Sequence, residues 1–197
     1  FDAVLPIFAD VLRRPAFAQD KLDVAKVQAN AGIARRNDNV GGITSREIAK
    51  LVYGADSPVA RQTEYATIAA IARQDLVDFH AKYYHPNNVY LGVVGDFDSQ
   101  EMLAKLQAAF GDWPKGPAFD GGPVPYRTAP NPGLFFIEKS DVNQANIVLA
   151  ELGIEQKNPD YFPVQVMNEA FGGGFSARLF SNVRSKKGLA YSVRGGL

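Results

Sequence analysis

Apolar residues recur at helical spacing from the first residues of the chain. Val4, Ile7, Phe8, Val11 and Leu12 mark the opening segment, and the same period continues to about Tyr84, with breaks at Pro15, Gly41-Gly42 and Gly54 to Pro58. Three or four helices fit this stretch. The last of them, Ala72 to Tyr84, carries Leu76, Phe79 and Tyr83 on one face, and Pro86 ends it because a proline disfavours helical geometry in the residue before it. The period then changes. Asn88 to Val94 is a compact apolar run of strand length closed by Gly95, after which Asp98 and Glu101 have the form of a capping box for a helix whose buried stripe is Met102, Leu103, Leu106 and Phe110.

From Gly111 to Pro132 glycine and proline dominate, the composition of an exposed linker and the best boundary between domains. Beyond it, Leu134 to Glu138 and Ala145 to Leu152 read as strands separated by a turn over Lys139 to Asn143. Asn158-Pro159 starts a further helix and Gly172 to Gly174 stops it; Ser176 is placed to cap the next. This succession predicts an α+β fold, an antiparallel or mixed sheet covered by helices on one face.

Composition narrows the partners. The 197 residues are 46% hydrophobic, ample for a core, and Lys plus Arg balance Asp plus Glu at 21 each, so no overall charge argues for nucleic acid or an anionic membrane. No apolar run is long enough to span a bilayer. The first residue is Phe1, no signal peptide is visible, and helical spacing is already under way there, which suggests a numbering that begins inside a larger protein. With no cysteine, disulfides and thiolate metal sites are excluded. A bacterial periplasm or a cytoplasm both suit such a chain, with the balance towards the periplasm.

The densest chemistry is in the tail, Gly172 to Val193. A glycine-rich turn feeds a helix ending at Gly188, which reverses into an extended segment, and this geometry can bring Arg184, in the last helical turn, towards Tyr191 on the returning strand. Two donors so placed can hold peptide carbonyls or a developing oxyanion. The plainer alternative pairs Arg184 with a surface carboxylate and leaves Tyr191 packing at a sheet edge. Arg178 and Lys186-Lys187 read mainly as a solvated helix end favoured by the helix dipole. The glycine run is no phosphate loop, since no Gly-Lys-Ser/Thr comes after it. His80 and His85 straddle a helix end without a third ligand, and read as packed or solvated histidines rather than a zinc pair.

Two blocks carry a family resemblance. The tail presents Gly172, Gly173 and Gly174, then Ala177-Arg178-Leu179-Phe180, Arg184, and Gly188-Leu189-Ala190-Tyr191-Ser192. The middle presents Leu76 to Asp98, a helix, then Tyr-His-Pro-Asn-Asn, then a strand ending in Val-Gly-Asp, and Tyr53 to Pro58 adds a YGADSP turn. Together they resemble the pitrilysin/insulinase metallopeptidases, the inverzincins, with their processing-peptidase relatives. The resemblance implies a duplicated-domain architecture: residues 1–110 as the C-terminal part of a first α+β domain, 111–132 as linker, and 133–197 as the N-terminal part of a second, homologous domain whose sheet is incomplete here.

The family's catalytic element is His-x-x-Glu-His on a helix, completed by a distant glutamate ligand. This chain has no such motif, and the resemblance puts the later glutamate at Gly32, where no carboxylate lies between Asn30 and Arg36. It therefore implies a non-catalytic subunit that binds no metal itself and holds an extended peptide through Arg184, Tyr191 and the Gly172, Gly173, Gly174 surface. Zinc is then expected on a catalytic partner, in a hetero- or homodimer, or on a missing domain. The strand Ala145 to Leu152 could add a peptide at its edge. Two alternatives stand beside this: an active zinc endopeptidase whose His-x-x-Glu-His half lies outside these residues, and a structural scaffold subunit of the core type without peptide affinity.

Overall fold

The computed structural model describes residues 1–122 and 132–197. Its helices are α1 Leu5–Arg13, α2 Gln19–Ala34, α3 Val40–Tyr53, α4 Tyr65–Ala70, α5 Arg73–Tyr83, α6 Ser99–Phe110 and α7 Tyr161–Asn168. Pro15 and the Gly54 to Pro58 stretch fall between helices as expected, but Gly41-Gly42 lies in the first turn of α3 rather than at a break, and five helices form before Tyr84 where three or four were expected. Local chemistry explains most of the ends. The Asn39 side chain accepts from the Gly42 amide at the start of α3, Gly54 closes that helix at φ 92°, and the Asp98 carboxylate accepts from the Glu101 amide at 2.9 Å to open α6. Of the linker expected at 111–132, residues 123–131 lie outside the described residues.

The described residues fall into two compact units, 1–122 with Leu134–Ile147, and 132–133 with Val148–Leu197. In the first, α1 packs on α6. Phe8 meets Phe110 edge-to-face with centroids 6.3 Å apart, and Arg13 donates to the Ala109 carbonyl while pairing with Asp112, both at 2.9 Å. The hydrogen bond from Arg13 lowers the Asp112 carboxyl below its ordinary value. Further along, α2 packs on α4, where Arg36 pairs with Glu64 at 2.9 Å. In α1 the residues turned inward are Leu5 and Ala9, with Val4, Ile7 and Val11 exposed. That helix is strongly amphipathic, with Asp10 and Arg13 on one side and Ile7, Phe8 and Val11 on the other, so periodicity selects a face that is left largely uncovered among the described residues. Leu103, expected in the buried stripe of α6, is likewise exposed.

The expected sheet is not found: no strand is formed among the described residues. Asn88 to Val94, Leu134 to Glu138 and Ala145 to Leu152 all lack ladder partners there, and Tyr90, Val94 and Leu134 are almost wholly exposed. The reason is physical. Apolar composition makes a segment suitable for a pleated surface, but a strand exists only when a second one lies about 4.8 Å away to accept its ladder. The α+β expectation is accordingly replaced by a helix-rich arrangement, and the division between units falls inside the third of these segments, between Ile147 and Val148.

After α5 the chain is held by side chains instead. Asn87 accepts from the Gly116 amide at 3.0 Å and donates to the Gly116 carbonyl at 3.1 Å, so its amide acts as a one-residue strand. Asn88 accepts from the Phe119 amide at 3.1 Å and donates to the Tyr83 carbonyl at 3.2 Å, and Tyr83 packs edge-on against Phe119. His85 lies directly beneath Gly116, so close that a β-carbon there would overlap its ring. Gly116→Ala is expected to destabilise the chain by about 1–3 kcal/mol, the cost of overpacking. Gly92→Ala, where nothing lies within 4 Å, should stay within about 0.5 kcal/mol of the parent. Urea unfolding of the two variants measures the difference.

Candidate functional site

The second unit builds its site on a backbone-to-backbone contact. Helix α7 begins at Tyr161 with Asp160 at its cap position, later than the start expected from Asn158-Pro159; the Asn158 side chain accepts from the Asp160 amide at 2.9 Å in the turn before it, and the helix runs on as a π-helical turn over Glu169–Gly173. At the end of that turn Gly172 is buried and its carbonyl accepts from the Gly195 amide at 3.1 Å. A β-carbon on Gly172 would lie 2.5 Å from the Gly195 nitrogen and 2.7 Å from its Cα. Those are main-chain atoms that cannot rotate away.

The three glycines thus differ. At Gly173 the crowding atoms belong to the flexible Glu169 carboxylate, and around Gly174, whose backbone is extended, nothing lies within 4 Å. Only Gly172 is required by close approach.

The signature segment then forms a π-helix over Phe180–Lys186. Its preceding turn is bonded from the Ser181 amide to the Ala177 carbonyl, so the buried Ala177 stands where Ser176 was expected to cap. Phe180 is buried, edge-on to Phe175 with centroids 4.9 Å apart. Gly188 closes the helix at φ 63°, its amide donating to the Arg184 carbonyl at 3.0 Å while the Leu189 amide donates to Val183. The chain reverses there and carries Tyr191 back over the helix end.

Arg184 and Tyr191 are brought together. The Arg184 guanidinium carbon lies 5.2 Å from the Tyr191 ring centroid and 4.8 Å from that of Phe180. Each contact contributes about 0.5–1 kcal/mol at an exposed site and more when desolvated. The rings occupy guanidinium faces and leave its in-plane N–H donors uncommitted, since among the described residues Arg184 makes no side-chain hydrogen bond or ion pair. The alternative in which it pairs with a surface carboxylate is not what these residues adopt. Tyr191 itself is 83% exposed on an extended return, not on a paired strand. Sequence reasoning gave no role to Phe180 or Gly195. The four-residue spacing of Phe180 and Arg184 on one helix was the available signal for the first, and the Gly195-Gly196 pair for the second.

The histidines have other duties. His80 donates from Nε2 to the Leu12 carbonyl at 2.9 Å and stacks on Tyr84, while His85 is packed under Gly116. Among the described residues no group of three or more His, Cys, Asp or Glu is placed to hold a metal ion. Gly32 sits within α2 with open space where a side chain would project. These residues do not fit a zinc site of the kind the family's catalytic motif builds.

Known proteins share both the sequence and the fold. The family model described as peptidase M16 inactive domain matches residues 70–197. An uncharacterized zinc protease of Rickettsia bellii is 29% identical over 96% of this chain and 45% of its own length. A non-peptidase homolog, YmxG of Helicobacter pylori, is 26% identical over 98% of this chain and 44% of its own. The crystal structure of a peptidase M16 inactive domain from Pseudomonas fluorescens superposes with a TM-score of 0.79 at 31% identity, over 100% of this chain and 47% of that one. The chain therefore spans about half the length of the relatives it matches.

Gly172→Ala is expected to separate residue 172 from Gly195, removing hydrogen-exchange protection of the Gly195 amide and costing about 1–3 kcal/mol. Gly174→Ala should leave both unchanged. Amide exchange measured by NMR on the two variants checks this.

Proposed function

The chain belongs to the peptidase M16 family through its inactive domain, and on that premise we propose that it is a non-catalytic segment which holds an extended peptide substrate for a zinc centre located elsewhere. The observation that carries this reading is the Arg184 guanidinium, placed over Phe180 and Tyr191 with its N–H fork uncommitted among the described residues. A fork held by two rings loses little freedom when it takes a carbonyl oxygen, so binding costs less than it would for a free arginine. The exposed Tyr191 hydroxyl supplies a second donor beside it. Of the three glycines that border the same segment, Gly173 and Gly174 are exposed and present main chain to a peptide, while Gly172, buried and bonded to Gly195, anchors the turn that carries them.

In this reading the zinc ligands belong to a partner chain of the same family, or to the part of the relatives' length that this chain does not span. Either way, the residues described here bind and orient, and perform no bond cleavage. The domain division at 111–132 and a periplasmic setting are parts of the same proposal. Residues 148–152 lack ladder partners among the described residues, and they offer an extended peptide main-chain bonds.

The test is peptide binding by fluorescence anisotropy. Arg184→Ala should weaken binding about 10- to 100-fold, the worth of a hydrogen bond to a charged group, and Tyr191→Phe should weaken it several-fold. Unchanged affinity in both variants would remove Arg184 and Tyr191 from the peptide site, and no binding by the parent chain would leave a scaffold role instead. Chelator-sensitive hydrolysis by this chain alone would contradict the non-catalytic assignment.

A further inference from the structure

The second unit ends in an unusual charge pattern. From Ala170 to Leu197 there are five basic residues, Arg178, Arg184, Lys186, Lys187 and Arg194, and no Asp or Glu, although the whole chain balances 21 basic against 21 acidic residues. Elsewhere many cations find carboxylate partners: Arg13 with Asp112, Arg36 with Glu64, Lys50 with Glu47, Lys105 with both Asp2 and Glu101, Lys139 with Asp141. Among the described residues none of the five tail cations makes an ion pair or a side-chain hydrogen bond. Glu169, the last acid before the stretch, lays its carboxylate over Gly173 instead.

A helix end explains only part of this. The C-terminal end of a helix carries an effective charge of about −0.5, which falls off within one turn. It can offset part of the charge on Arg184, Lys186 and Lys187, but Arg178 and Arg194 lie outside that turn. Several uncompensated positive charges remain between Ala170 and Leu197, in the same stretch of chain as a guanidinium whose donors face no acceptor among the described residues. Four of them, Arg178, Lys186, Lys187 and Arg194, are exposed.

We propose that the polypeptide taken by this site is acidic: it carries Asp or Glu side chains next to the residue whose carbonyl Arg184 holds, and the unpaired lysines and arginines of residues 178–194 select them. The inference rests on the peptide-binding reading and adds the charge of the ligand to it. A polypeptide is favoured over nucleic acid because the whole chain balances 21 basic against 21 acidic residues, and many cations of the first unit are paired in place.

The experiment measures anisotropy of a labelled peptide of about ten residues containing two Glu, its Gln counterpart, and a single-stranded RNA of equal length. The Glu peptide should bind about tenfold tighter than the Gln peptide in about 50 mM salt, and the ratio should shrink in about 200 mM salt as the charges are screened. The double variant Lys186→Gln/Lys187→Gln, at exposed positions, should reduce the Glu preference several-fold while leaving affinity for the Gln peptide unchanged. Equal affinity for the two peptides overturns this inference and leaves the peptide-binding reading standing. No binding of either peptide overturns both. RNA bound as tightly as the Glu peptide overturns the assignment to an acidic polypeptide in favour of a general polyanion surface.

Discussion

The contact between Gly172 and Gly195 is the constraint on which the rest of the second unit depends. A main-chain hydrogen bond of 3.1 Å and a separation that admits no β-carbon tie the end of the α7 extension to the returning tail. Between these two points lie the π-helix, the reversal at Gly188, and Tyr191. With both ends fixed, the left-handed residue at φ 63° turns the chain back across the helix end and over Arg184. The alignment of guanidinium and ring thus arises from two backbone restrictions, and the cation–π attraction then holds what they bring together. Main-chain contacts of this kind are stiffer than side-chain contacts, because no rotamer change can relieve them.

The helical part of the fold was readable because its signals are local. Pro86, the Asp98 cap and Gly188 each act within one turn of the backbone, and each marks an observed boundary or cap. The sheet was not readable in the same way. Period and composition identify Asn88 to Val94 and Leu134 to Glu138 as segments suited to pairing, but pairing is a relation between two segments, and nothing in either one encodes whether its neighbour lies among these residues. The accessible surface makes the same point. It amounts to 15411 Å², where two separately compact units of these sizes would present about 11,000 Å². Much of the excess is apolar, at positions such as Tyr90, Leu134, Phe136 and Leu149.

The site was legible to a different degree. Arg184 and Tyr191 could be paired from the helix end and the reversal alone, since both depend on Gly188. Phe180 was given no role because a buried aromatic in a helix is ordinarily core, and here it is both core and platform: its edge meets Phe175 while Arg184 lies over its ring. The glycine run could not be resolved into its parts either. Three identical residues have three different surroundings, and only the far side of the contact, at Gly195, distinguishes them.

Charge compensation explains why the basic tail invites a functional reading where the basic helix end did not. In sequence, Lys186-Lys187 at a helix terminus is accounted for by the dipole, and no further cause is needed. In the structure the units differ: the first pairs many of its cations with its own carboxylates, whereas the tail has none to pair with after Glu169. Mutual repulsion among exposed cations costs little in water, so such a stretch persists without penalty until it meets a surface of opposite sign. Arg184 is the exception, since its partly covered position and the rings beneath it fix the direction of its donors. A diffuse field from four solvated charges and one oriented fork is an arrangement suited to drawing in an acidic chain and then setting its register.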